Sequence, residues 1–274
     1  MPENNTPPPA RPRIDTSRAS PARTYNEYNG GKDSYLVDQQ VRLQMEELGL
    51  EPGLIARENR KFHGRAVRTV AEMGIDQILD IGTGVPQSPN THEIAQAVKP
   101  STRVLYVDND PIVVRHAEAL LASGPEGATF YAEADAREPA DVLAAASEHL
   151  DLQRPVVVLM IALLHFVEDN AGDPRHIVRT VMDAMAPGSV LVLTHMIDDH
   201  DPDTWRSVET IYRAAGIPAQ IRPYEQVQGF FKGLELLGPG LLPVTQWRPD
   251  PADDSVALKP GLVPIYGALA VKPA

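Results

Sequence analysis

From residue 77 onward the apolar positions of the chain alternate between two periods. Short runs of consecutive apolar residues at 77–81, 103–107, 128–134, 156–164 and 190–195 read as buried strands, and the stretches 90–98, 111–121, 141–150 and 175–185 between them carry helical spacing. Boundary residues agree with this reading. Asn90 followed by Glu93 fits a capping box, Asp110-Pro111 puts a cap residue before proline at a first helical position, and Pro187-Gly188 stops the helix that ends at Met185. Strand and helix in strict alternation imply parallel pairing through right-handed crossovers, which predicts a doubly wound, mostly parallel α/β sheet. Beyond His195 the pattern changes: 205–215 is helical, and 229–244 and 262–271 are strand-forming segments between Pro-rich loops. An antiparallel C-terminal strand pair is the expected finish.

The first part of the chain follows neither period. Residues 1–22 lack apolar periodicity and are broken repeatedly by proline, so they are expected to form a disordered tail. A helical stretch stopped at Gly49 and a second helix over 54–73, with Phe62, Ala66, Val70 and Met73 lining one face, make residues 23–74 an N-terminal helical cap. Arg57, Asn59, Arg60 and His63 fall elsewhere on that second helix. Residues 75–274 are then one sheet domain.

Composition narrows the functional classes. A chain of 274 residues, 43% of them hydrophobic, holds one sizeable α/β core and leaves no room for a second full domain. The absence of cysteine excludes disulfides, a thiolate nucleophile and Cys-ligated metal, and makes a cytoplasmic location the simplest expectation. The longest apolar run, 155–167, is too short to span a bilayer, so no membrane partner is expected. A formal net charge of -12 argues against a nucleic-acid partner, because phosphate binding needs clustered Lys and Arg. The eight histidines form no H-E-x-x-H or comparable cluster, so no catalytic metal is expected. Oligomeric state is not legible.

In an open parallel sheet a ligand lies beyond the carboxyl ends of the strands. The first strand ends in Asp80-Ile81-Gly82-Thr83-Gly84, where the two glycines allow a tight turn and close backbone approach. Asp80 is badly placed against a pyrophosphate but suits the ammonium of an amino-acid moiety. Pro86-Gln87 departs from the dinucleotide fingerprint, since proline removes an N–H donor and glutamine adds bulk. Asp108, at the end of the next strand beside Asn109, stands where a ribose-hydroxyl acceptor is required. Asp135, beside Ala136, ends the third strand within reach of an adenine amino group. Taken in order these residues point to S-adenosylmethionine rather than NAD.

The segments ARTYNEYNGGKDSY, ARENRKF, LDIGTGVPQSPNTHE, VLYVDNDPIVV, LLHFVED and GFFKGLELLGPGL resemble a bacterial S-adenosyl methyltransferase family also known as DUF574 or Methyltransferase 19. The likeness runs from about Tyr25 to the C-terminus. It implies a class I methyltransferase, Rossmann-like fold and an S-adenosylmethionine site, and leaves the methyl acceptor open.

Methyl transfer from a sulfonium is an in-line displacement in which the protein supplies alignment and excludes water, with a base where the nucleophile is acidic. His165, in the segment LLHFVED, is the first candidate base, since that segment resembles the Leu-His pair followed by an acidic residue in many class I methyltransferases. His195, ending the fifth strand, is the second. Tyr28, with Lys32 and Asp33 in the YNGGKD turn, is a candidate lid over the pocket, the alternative being a helix-capping turn. Arg60, with Arg57, is a candidate bidentate partner for the methionine carboxylate, the alternative being a solvated helix face. Three functions follow: a methyltransferase acting on a small-molecule acceptor, an S-adenosylmethionine-binding regulator without turnover, and a nucleotide-dependent oxidoreductase.

Overall fold

The computed structural model describes residues 15–120, 122–251, 258 and 261–274, with the backbone alone for 118–120. Helices α1 (Pro21–Tyr28), α2 (Leu36–Glu47) and α3 (Pro52–Glu72) precede an alternating series. That series runs β1 (Gln77–Ile81), α4 (Thr91–Val98), β2 (Arg103–Asp108), α5 (Pro111–Leu120), β3 (Ala128–Glu133), α6 (Pro139–His149), β4 (Val157–Met160), α7 (Pro174–Ala184), β5 (Val190–Met196) and α8 (Pro202–Ala214). Then come α9 (Tyr224–Gln228), two short strands β6 (Glu235–Leu236) and β7 (Leu242–Pro243), and β8 (Ile265–Val271). The sheet order is β3-β2-β1-β4-β5-β8-β6, with β7 also on β8. β1 through β5 pair in parallel and β8 runs antiparallel to β5, β6 and β7, which is the doubly wound sheet with an antiparallel C-terminal addition that the alternation implied.

Strand period sets two cores. Ile78, Val104, Tyr106, Leu159 and Val192 face α3, α4 and α8, with Phe62, Ala66, Val70, Trp205 and Val208 packed on them. Their neighbours Leu79, Leu105, Met160 and Leu193 face α6 and α7, where Val142, Ile177 and Val181 complete the second layer. Gly267 of β8 is required by this packing, because a Cβ there would stand 2.6 Å from the Phe62 ring. The caps read from sequence form: Glu93 accepts the Asn90 N–H at 2.5 Å and Asp110 accepts the Ile112 N–H at 2.9 Å.

Three local expectations are corrected. The run 156–164 is not one strand: β4 stops at Met160, Ala162 takes a positive φ of 52°, and Leu164–Phe166 is a 3-10 turn. The run 229–244 is mostly not strand, because Gly233 and Gly240 both turn at positive φ and Phe230 and Phe231 are buried against the α7 side instead. Met73 leaves the helix face it was assigned to; it lies just past the end of α3 and is exposed. The helix α3 shares its apolar cluster with β1 and β2, so it packs directly on the sheet.

The expected tail is also shorter than 1–22. Residues 1–14 lie outside the described residues, but Ala19 is buried and α1 starts at Pro21. The cause is a buried carboxylate, Asp38, which accepts the Ser20 N–H at 3.0 Å, the Arg23 Nε–H at 3.0 Å and the Tyr35 N–H at 2.9 Å. Ala19 N–H adds a bond to the Ala215 carbonyl after α8. These contacts are not periodic and escape a pattern reading.

Deleting residues 1–22 is therefore expected to lower the melting temperature by on the order of 5 °C, since it strips several bonds worth about 1 kcal/mol each and takes one of these three donors from Asp38. Thermal denaturation of the truncated and full chains checks this; coincident melts would mean the segment contributes nothing to the fold.

Candidate functional site

The carboxyl ends of β1, β2 and β3 and the loop after β4 enclose a cavity of about 330 Å³. Asp80 lies level with Tyr106 on β2 and Asp108 level with Glu133 on β3, so Asp80, Asp108 and the residue pair after β3, Asp135 and Ala136, step two residues further along with each successive strand across the cavity floor. Gly82 and Gly84 turn the chain at φ of 72° and 70°. At Gly82 the positive φ disfavours any side chain, and an added Cβ would also press on the Leu163 methyl 2.6 Å away.

The amides of this loop are already committed. Gly82 N–H donates to the Val107 carbonyl at 2.8 Å and Gly84 N–H to Asp108 Oδ2 at 2.9 Å. In a dinucleotide site such donors hold pyrophosphate. Here a carboxylate takes that place, and the described cavity wall carries four carboxylates, Asp80, Asp108, Asp110 and Asp135, against two guanidiniums, Arg60 and Arg137. The field selects a cation.

Burial sets the electrostatics. Desolvation pushes Asp80 up to about 6, opposed by the Thr91 hydroxyl and the Arg60 cation and reinforced by Asp108. Asp108 is also pushed up to about 6 by desolvation, against the N–H bonds from Asp110 and Gly84. Asp135 moves the other way, held down by Arg137, whose Nη2 lies 2.5 Å from Oδ2.

Of the residues expected from sequence, Asp80, Gly82, Thr83, Gly84, Asp108, Asn109, Asp135, Ala136 and Arg60 all line the cavity. Arg60 Nη2 donates to the Gln87 and Pro89 carbonyls at 2.6 and 2.9 Å, leaving its Nε and Nη1 donors for other partners. Arg57 is exposed and does not line it. Tyr28 is corrected: its hydroxyl pairs with Tyr212 at 3.2 Å, in the layer between α1 and α8, and the neighbouring turn does not line the cavity. The segment that covers the site is instead the start of α1, through Ser20, Pro21, Ala22 and Tyr25. Ser20 Oγ donates to Asp110 at 3.0 Å and Tyr25 receives the Asn59 amide at 2.9 Å, which pins that cover at both ends.

Both candidate bases are corrected as well. His165 and His195 do not line the cavity; they lie behind it with ring centroids 5.4 Å apart. Arg222, buried, donates Nη1 to His195 Nε2 at 3.1 Å and to the Leu164 carbonyl at 3.0 Å, and Nη2 to the Val167 carbonyl at 2.7 Å and to Asp169 at 2.8 Å. Because Arg222 only donates, His195 Nε2 is the acceptor and Nδ1 carries the hydrogen, given to the Met196 carbonyl. Desolvation pushes His195 down to about 3 and His165 well below the ordinary histidine value, so both stay neutral. The sequence places His165 on a strand end; the positive φ at Ala162 turns it into the 3-10 segment and away from the ligand side.

Several lining residues have no single-sequence signal: His63, Thr91, Arg137, Phe166 and Pro218. Among the described residues no cluster of His, Cys, Asp and Glu is arranged to hold a metal, and no helix is long and apolar enough to cross a membrane.

A family model described as S-adenosyl methyltransferase matches residues 7–273. A solved DUF574 family protein from Streptomyces avermitilis MA-4680 is similar at 43% identity over 95% of this chain and 100% of that one, with a TM-score of 0.90. A candidate methyltransferase from Thermobifida fusca YX is similar at 36% identity over 95% and 97% of the two chains, with a TM-score of 0.85. The fold extends to a plantazolicin methyltransferase, at 12% identity over 92% and 96% of the chains and a TM-score of 0.51. No curated protein matches the chain. A cavity built for a cation on a class I sheet and a family match over nearly the whole length agree: the chain belongs to the S-adenosyl methyltransferase family, the enzymes that take their methyl group from S-adenosylmethionine.

Proposed function

We propose that the enzyme methylates a small, cytoplasmic molecule whose nucleophile needs no histidine base, with Asp80, Arg60 and the Gly82-Thr83-Gly84 loop holding the amino-acid end of the cofactor, Asp108 and Asn109 its ribose, and Asp135 and Ala136 its adenine. The observation that carries the reading is the excess of carboxylates on the cavity wall combined with loop amides tied to Asp108 and Val107. A cationic sulfonium compound fits this field and a pyrophosphate does not. S-adenosylmethionine, when bound, supplies the methyl group and a neutral thioether leaving group.

The chain's own residues bind, orient and exclude water. Ile161, Leu163, Phe166 and Pro218 give the cavity an apolar side where a methyl group can be passed without competing hydrolysis. The α1 start closes it from above. His165 and His195 are both buried and lie outside the cavity lining, so this reading assigns proton abstraction to neither. That favours acceptors already ionised at neutral pH, or amines carrying a free lone pair, over unactivated alcohols. The small cavity and the net charge of -12 favour a small acceptor over a nucleic acid, and the cysteine-free composition is compatible with a reducing cytoplasm.

Three outcomes test this. Asp108→Ala is expected to weaken S-adenosylmethionine binding by about 1–3 kcal/mol in calorimetry, through lost hydrogen bonds to a charged acceptor; unchanged affinity would remove Asp108 from the site.

The second concerns pH. A buried acid whose folded value lies above its unfolded one binds protons better in the folded state, so its contribution to stability falls as pH rises from about 4 through about 6. Asp80→Asn keeps an acceptor for Thr91 while removing that charge, and is expected to raise the melting temperature of the free protein at pH 7 by the equivalent of roughly 2–3 kcal/mol and to weaken cofactor binding. Wild-type affinity should itself decline as pH falls below about 6, where Asp80 and Asp108 gain protons and stop attracting a cation.

The third is His165→Ala, which is expected to lower thermal stability while leaving cofactor affinity and turnover per folded molecule within about twofold, because the ring packs in the core. A loss of turnover of 10²-fold or more, shrinking at high pH, would restore His165 as the base.

A further inference from the structure

Three buried side chains at the Asp80 end of the cavity form a hydrogen-bonded chain across three elements. His63 Nε2, on α3, lies 3.0 Å from Thr91 Oγ1 at the start of α4, and Thr91 Oγ1 lies 2.6 Å from Asp80 Oδ2 on β1. All three line the cavity and none is more than 6% exposed.

Hydrogen counting fixes the chain's direction. Thr91 has one hydroxyl hydrogen, and the short contact to a carboxylate assigns it to Asp80. Thr91 Oγ1 can then only accept from His63, so Nε2 carries the ring hydrogen and Nδ1 keeps a lone pair. The described residues give His63 no second hydrogen bond, in contrast to His195, whose two nitrogens are both used within the protein. Desolvation and the nearby Arg60 cation push His63 down to about 3, so the lone pair persists at every physiological pH. An acceptor that never protonates, beside a carboxylate, matches a ligand N–H cation.

We propose that Asp80 and Thr91 lock the tautomer of His63 so that its Nδ1 accepts a hydrogen bond from the ammonium of the cofactor's amino-acid end, with His63 a specificity-determining contact and Thr91 a positioning residue. The proposal rests on the reading of the Asp80 end as the amino-acid end of the cofactor site. It goes beyond the carboxylate alone by naming a neutral acceptor that a substitution can remove without changing the site's charge.

The test is calorimetric titration of the full chain with three ligands. S-adenosylhomocysteine has the ammonium and the carboxylate, its decarboxylated form keeps only the ammonium, and 5′-methylthioadenosine has neither. His63→Leu and Thr91→Val are expected to weaken the first two about 10-fold or more and the third less than twofold, while Thr91→Ser, which keeps the hydroxyl, stays within about threefold of wild type for all three. Equal losses for all three ligands would assign the chain a structural role and overturn the proposal, as would unchanged binding throughout or a Thr91→Ser as weak as Thr91→Val. Should His63→Leu fail to fold, the Thr91 pair decides alone. Failure of wild type to bind any of the three would instead overturn the cofactor reading itself.

Discussion

Two carboxylates kept dry on adjacent parallel strands set the terms for the rest of this structure. Asp80 lies near the end of β1 and Asp108 ends β2, two residues further along the neighbouring strand, and each is desolvated and sensitive to charge around it. A folded chain keeps such a pair only where donors surround it and a cationic ligand returns the lost solvation. The donors account for the local chain. Gly84 and Asp110 offer N–H groups to Asp108, and Thr91 offers its hydroxyl to Asp80. The glycines are present because the backbone must double back over a strand end, beneath Leu163, to bring those groups close.

The same logic extends to the N-terminal segment. Asp38, fully buried, gathers donors from Ser20, Arg23 and Tyr35, and Arg23 also approaches Asp110 at 3.9 Å. One carboxylate thus ties the cover of the cavity to α2, and a second ties it to the loop that carries Asp108. Breaking either partner would leave an uncompensated charge in the interior, which makes the cover a fixed wall of the site rather than a loose extension.

Behind the cavity, Arg222 performs the corresponding task for the loop after β4. Its guanidinium holds the carbonyls of Leu164 and Val167, and so fixes the turn that presents Leu163, Phe166 and Val167 to the ligand side. His195 is one more acceptor for that guanidinium. The two histidines that resemble catalytic residues in isolation pack behind the cavity with this support.

The sequence by itself determined the order of elements, the parallel sheet and the three aspartates at consecutive strand ends, because hydrophobic period, helix caps and strand termini are written within a few neighbouring residues. It also carried enough of the loop chemistry to separate a sulfonium cofactor from a dinucleotide, since the relevant departures, Pro86-Gln87 and Asp80, sit in one short stretch. Only the tertiary structure decided where side chains aim. The turn of His165 away from the cavity depends on a positive φ at Ala162 and on Arg222, 58 residues beyond Leu164. The His63–Thr91 contact joins residues 28 apart, and Ser20 reaches Asp110 across 90. Such contacts leave no periodic trace, because a single buried hydrogen bond constrains two distant positions and nothing between them.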